Sequence, residues 1–140
     1  MTISCGPFGA SEALCQSLGA LGNSEHVDTG VVLFRQSEQV RGLYVVKSGK
    51  VGLSLADGGA VSDRLAGPDS VLGLPAAMTG NDYSLTARTL EPSEVVFVTR
   101  ENVLALLHAH PEFCFEVVEI LAQEVGFMRR HTATALASVN

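Results

Sequence analysis

Between Glu25 and Arg100 the chain is divided into short apolar or β-branched runs: "GVVLFRQ", "RGLYVVKSG", "KVGLSLA", "AVSDRLA", "SLTARTL" and "SEVVFVT". Turn residues separate them, among them Ser48-Gly49, Asp57-Gly58-Gly59, Gly67-Pro68-Asp69 and Glu91-Pro92. This texture is the strongest constraint on the fold. Runs this short cannot form stable helices, and a turn signal every roughly 8 to 12 residues is the mark of an antiparallel sandwich or roll. Asp57-Gly58, between "VGLSL" and "AVSDRL", is a hairpin signal, because Gly tolerates the positive φ of such turns.

Helical spacing replaces this texture at both ends. In "SEALCQSLGAL" (residues 11–21) Leu14, Leu18 and Leu21 share a face, Ser11 is placed as N-cap and Gly19 interrupts the run. Thr99 is placed to cap "RENVLALLHAH", which must stop before Pro111 because the residue preceding proline resists the α region. Pro111 suits the first turn of a further helix. There Val117, Leu121, Val125 and Met128 form an apolar stripe, with Glu116, Glu119, Gln123 and Glu124 mostly off it. The stripe either packs on the roll or pairs with a second copy as the seam of a homodimer. About eight strands are expected between a short first helix and a long last one. The divisions are a Gly-rich start at 1–10, a sensor-like unit at 11–128 and the long helix at 111–138.

Composition narrows the function classes. The net charge is −6 and the nine basic residues are scattered, whereas binding to a duplex needs clustered cations. No apolar run approaches the roughly 18 residues of a membrane span. Cys5, Cys15 and Cys114 form neither a close pair nor a CxxC, and their odd number argues against a disulfide framework. A cytoplasmic, reduced setting is expected. No catalytic triad, carboxylate pair or Walker-type loop is present, so no enzymatic activity is expected.

In this order and spacing, "GVVLFRQSEQVRGLYVVKSGKVGL", "GPDSVLG" and "LLHAHPEF" resemble the cyclic-nucleotide-binding sensor domain of CRP/FNR-type transcription regulators. The resemblance covers residues 11–128. It implies a double-sheeted antiparallel β-roll of the jelly-roll type, with a short N-terminal helix and a long C-terminal dimerisation helix. It also implies an effector in the roll that shifts this helix and reorients a helix-turn-helix domain. DNA would be reached only through such a downstream domain, and the chain ends where the family's hinge begins. A fragment of a longer regulator is expected, with a stand-alone module as the alternative.

The departures bear on the ligand. In relatives that bind cyclic AMP or GMP, Gly-Glu opens the phosphate-binding cassette and Arg-Ser closes it. Gly73-Leu74 and Tyr83-Ser84 stand at those places, Leu85 replaces a small residue, Ser37 a turn Gly and Val40 a small residue. A charge-assisted hydrogen bond contributes roughly 1.5–3 kcal/mol, so losing Glu and Arg costs on the order of 3–6 kcal/mol, or about 10² to 10⁴ in affinity. Arg88 has the opposite strand parity to Tyr83 and is a poor substitute. The degenerate cassette is therefore expected at Gly73, Leu74, Ala76, Ala77, Tyr83 and Ser84. With Leu85 and Ala87 it makes an apolar pocket, either closed or suited to a small apolar effector.

No cofactor is expected. Haem could draw on Cys5, His26, Met78, His108, His110, Met128 or His131, but their spacing matches no haem motif. His108-Ala109-His110 falls at a helix end, where residues two apart diverge, which argues against a metal pair.

Overall fold

A computed structural model describes residues 9–55 and 64–123. Eight strands form two antiparallel four-stranded sheets. In chain order they are β1 (Asn23–Val27), β2 (Val32–Phe34), β3 (Gly42–Ser48), β4 (Val51–Ser54), β5 (Arg64–Ala66), β6 (Ser70–Leu72), β7 (Thr86–Thr89) and β8 (Ser93–Thr99). One sheet runs β1-β8-β3-β6 and the other β2-β7-β4-β5. The helices are α1 (Glu12–Gly19), α2 (Leu74–Thr79) and α3 (Arg100–Ala109), followed by a 3-10 turn (Pro111–Phe113) and a helical run at residues 114–123, labelled α4. This is the expected β-roll.

The first sheet is the middle of three layers, which explains its sequence. Val45, Val71 and Val96 belong to a cluster completed by helix residues Leu14, Leu18, Val103, Leu106, Leu107, Val117 and Ile120. Their chain neighbours Val46, Leu72 and Val95 belong to the other cluster, between the sheets, with Leu33, Phe34, Val51, Leu53 and Ala87. A strand covered on both faces has no polar side, so "YVV" and "SEVVFV" read as continuous apolar runs rather than alternating ones. Across β3 and β8 the register is regular, Val45 opposite Val96 and Val46 opposite Val95, up to a bulge between Val46 and Ser48.

The helix caps follow the sequence closely. Ser11 Oγ accepts from Leu14 N–H at 3.2 Å and opens α1. Thr99 Oγ1 accepts from Asn102 N–H at 3.3 Å and opens α3. The first helix is shorter than the spacing implies. It ends at Gly19, and Leu21 lies beyond it, 41% exposed rather than on the buried face. After α3, Pro111 starts a 3-10 turn before α4.

Two strands lie outside the six runs quoted above. β6 coincides with the "SVL" of the family-like turn. β1, "NSEHV", is almost wholly exposed and carries no strand-like pattern; its pairing with β8 defines it. β4 and β5 pair antiparallel through Val51–Ala66 and Leu53–Arg64. The Asp57-Gly58 hairpin signal between them lies outside the described residues.

Candidate functional site

The cassette is built by β6, a left-handed residue, a six-residue helix and a return loop. Gly73 follows β6 at φ 88°, a conformation that costs an ordinary L-residue about 1–2 kcal/mol. α2 then begins with Pro in its first turn, where a missing N–H leaves no hydrogen bond unmade. It ends on Gly80, also left-handed at φ 80°, whose N–H donates to the Ala76 carbonyl at 2.8 Å. Two left-handed hinges thus fold the cassette back on itself, and Tyr83, Ser84 and Leu85 lead into β7.

Tyr83 fills the interior of this fold. It is 3% exposed, and its ring stacks on Phe34 with centroids 4.2 Å apart and 16° between planes. The hydroxyl donates to the Gly42 carbonyl at 2.7 Å. It also accepts from the N–H groups of Arg41 and Gly42 at 3.3 and 3.4 Å. The backbone of Tyr83 is held as well: Ser37 N–H donates to its carbonyl at 2.8 Å, and its own N–H donates to the Glu38 carbonyl at 3.0 Å. Ser37 is left-handed at φ 72°, so the serine keeps the backbone shape that the family resemblance assigns to a glycine there.

The space remaining among Phe34, Leu53, Leu72, Gly73, Pro75, Ala76, Tyr83, Ser84 and Leu85 is about 10 Å³. That is at most one water. Among the described residues no charged side chain lines this space. Of the cassette residues read from sequence, Gly73, Ala76, Tyr83 and Ser84 come together around it. Leu74 and Ala77 turn away into the cluster beneath the helices, where Leu74 is 1% exposed. Leu85 and Ala87 sit with Tyr83 between the sheets, whereas Arg88 is half-buried in β7, opposite Val32 and Gly52.

One cation does reach the cassette, and sequence reasoning passed over it. Arg100, the first residue of α3, donates from Nε to the Ala77 carbonyl at 2.9 Å, near the end of α2. Its guanidinium lies 3.2 Å from where a β-carbon on Gly80 would stand. This places it at a helix C-terminus, where a cation is favoured, and outside the cavity. Its backbone N–H donates to the Arg41 carbonyl at 3.0 Å. Only its place directly after a capping Thr hinted at any of this.

The other candidates scatter. Val117 is 4% exposed in the cluster beneath the helices, and Leu121 is partly buried against the same cluster. Val125 and Met128 lie outside the described residues, as do Cys5 and His131. The apolar residues that α4 exposes are Phe115 at 85% and Val118 at 61%. His26 is on β1, Met78 on α2, and His108 and His110 are at the end of α3, where His110 Nδ1 lies 3.2 Å from Glu112 Oε2. Among the described residues no helix is long and apolar enough to cross a membrane.

The family model "Cyclic nucleotide-binding domain" matches residues 24–110. Comparison with curated proteins found no match. Among solved structures, the Thermus thermophilus catabolite activator protein is similar at 26% identity and TM-score 0.66, over 93% of this chain and 60% of that one. Oxidized CprK in complex with o-chlorophenolacetic acid is similar at 18% identity and TM-score 0.69, over 91% of this chain and 54% of that one. The N-terminal domain of a transcriptional regulator from Streptomyces coelicolor A3(2) is similar at 21% identity and TM-score 0.62, over 94% of this chain and 91% of that one. The chain thus spans between half and two thirds of the first two.

Proposed function

The chain belongs to the cyclic nucleotide-binding domain family, and from that membership we propose that it is a non-catalytic regulatory module of the CRP/FNR type whose cassette does not bind cyclic nucleotide. One observation carries this reading. The cassette interior is reduced to about 10 Å³ around a hydrogen-bonded phenol. A cyclic nucleotide would need an opening of the roll, displacement of Tyr83 from Phe34 and a cation for its phosphate. No cofactor is part of this role, and any DNA contact belongs to a domain outside these residues.

Signalling then runs through α4, and its partner is a second copy of the chain. Of the expected seam of Val117, Leu121, Val125 and Met128, Val117 lies in the chain's own core and Leu121 is partly buried against it, while Val125 and Met128 lie outside the described residues. Among the described residues of α4, Phe115 and Val118, three apart on its outward side, have apolar area to lose to a partner.

The test is isothermal titration of the protein with cyclic AMP and cyclic GMP. No heat up to millimolar ligand is expected, and a dissociation constant below about 10 μM, roughly −7 kcal/mol, would overturn the reading. A small apolar effector, the alternative to a closed pocket, would likewise have to displace the Tyr83 ring from Phe34.

A further inference from the structure

The segment Arg41–Gly42 is engaged from two sides. From the roll interior, the Tyr83 hydroxyl takes the Gly42 carbonyl and both N–H groups, at 2.7, 3.3 and 3.4 Å. From the helical side, Arg100 N–H takes the Arg41 carbonyl at 3.0 Å. Arg100 then returns to the cassette through its Nε bond to Ala77. A closed circuit results: phenol, start of β3, start of α3, end of α2, and back along the loop to Tyr83. The circuit meets α4 as well, because Leu106 and Leu107 of α3 share a cluster with Val117 and Ile120.

A tyrosine that only filled space would need its ring and one hydrogen-bond partner. Tyr83 instead has a hydroxyl with a full set of one donated and two accepted bonds, all to backbone, and a ring stacked on one aromatic. These are the features of a bound phenol: a flat apolar ring in a matching slot and a few convergent polar groups that fix its orientation.

We propose that Tyr83 is a tethered ligand of its own cassette, a phenol carried on the chain that occupies the effector position and holds Arg41–Gly42 and the start of α3 in the occupied arrangement. The site it fills is specific for a para-substituted phenol. The proposal rests on the reading that the cassette does not take cyclic nucleotide, and titration of the native protein tests that reading separately.

The experiment uses the full chain carrying Tyr83→Ala, with 4-methylphenol as the free counterpart of the lost side chain and toluene as the same ring without the hydroxyl. Amide exchange at Arg41, Gly42 and Arg100 should rise at least about tenfold in the variant. Millimolar 4-methylphenol should reverse this and raise the melting temperature, and toluene should recover less than half of either effect. Equal rescue by toluene overturns the proposal, because the site would then recognise only apolar volume. Faster exchange at Gly42 with none at Arg100 overturns it too, because occupancy would not reach α3. Should Tyr83→Ala fail to fold, Tyr83→Phe keeps the ring and removes the hydrogen bonds. Exchange at Arg41 and Arg100 should then rise together, and unchanged exchange at both is the contrary result.

Discussion

The Cε1 atom of Tyr83 lies 3.1 Å from where a β-carbon on Gly73 would stand. Gly73 therefore meets two demands at once, a left-handed φ of 88° and room for the ring beside it. Gly73→Ala should destabilise the protein by about 1–3 kcal/mol, as strain at a positive φ plus displacement of the ring. Urea unfolding monitored by tyrosine fluorescence would measure it, and a change within about 0.5 kcal/mol would show that the ring has slack.

Leu74 occupies the place where the family resemblance puts a ribose-binding glutamate, yet its side chain packs beneath the helices at 1% exposure. Leu74→Glu should not recover nucleotide binding. It buries a carboxylate in an apolar cluster and should cost at least about 3 kcal/mol, more than an ordinary polar surface exchange by far. A thermal melt in the presence and absence of cyclic AMP reads both outcomes, and a stable variant that gains a nucleotide-dependent shift would contradict the packing.

Much of this was legible in the residues. The runs that form β3 and β8 of the central sheet, and both caps, follow from local chemistry, and the loss of the cassette's charges follows from the family resemblance. The parity argument also placed Arg88 opposite in phase to Tyr83. Other features follow only from tertiary contacts. β1 is polar and exposed, so nothing in "NSEHV" marks it as a strand until β8 lies beside it. The stripe through Val117 and Leu121 is equally compatible with a core and a seam, because a helix face records only that it is covered. Leu74 and Tyr83 were assigned to one pocket, but α2 turns them to opposite sides of the central sheet.

The thiol of Cys15 is pushed up to about 12 from 9.0 by burial, with Asp69 and Glu116 adding to the shift. The unfolded chain loses this proton near pH 9 and the folded chain near pH 12, so in that window the native state holds more protons. Stability should therefore fall as pH rises from 9 toward 12, and the slope should be shallower in Cys15→Ala. At pH 8 iodoacetamide should label exposed Cys114 well before Cys15, by a factor on the order of 10² or more in rate, readable by peptide mass spectrometry.

Ser11 and Glu116 join the start of α1 to α4. The Glu116 carboxylate accepts from the Ser11 backbone N–H through Oε2 and from its hydroxyl through Oε1 at 2.8 Å. Ser11→Ala should cost about 1–2 kcal/mol through the lost cap and the lost carboxylate bond. A double-mutant cycle with Glu116→Gln should return a coupling of at least about 0.5 kcal/mol, and strict additivity would show that the contact is not energetically joined.

Phe115→Glu with Val118→Glu should turn a dimer into a monomer in sedimentation while leaving the melting temperature of the isolated fold within a few degrees. Val117→Glu should instead unfold the chain, because that position is 4% exposed. A double variant that remains dimeric would move the seam elsewhere.

The central place of β8 sets the order in which this molecule can be made. β8 stands between β1 and β3, pairing Val96 with Ser24 on one side and with Val45 on the other. A nascent chain therefore leaves the ribosome with β1 and β3 waiting on each other's shared neighbour, and no stretch that ends before Thr99 can close the middle layer. Closure of the middle layer must come late, after the other sheet has all its strands, and a pause shortly after α3 clears the exit tunnel would give that layer time to close.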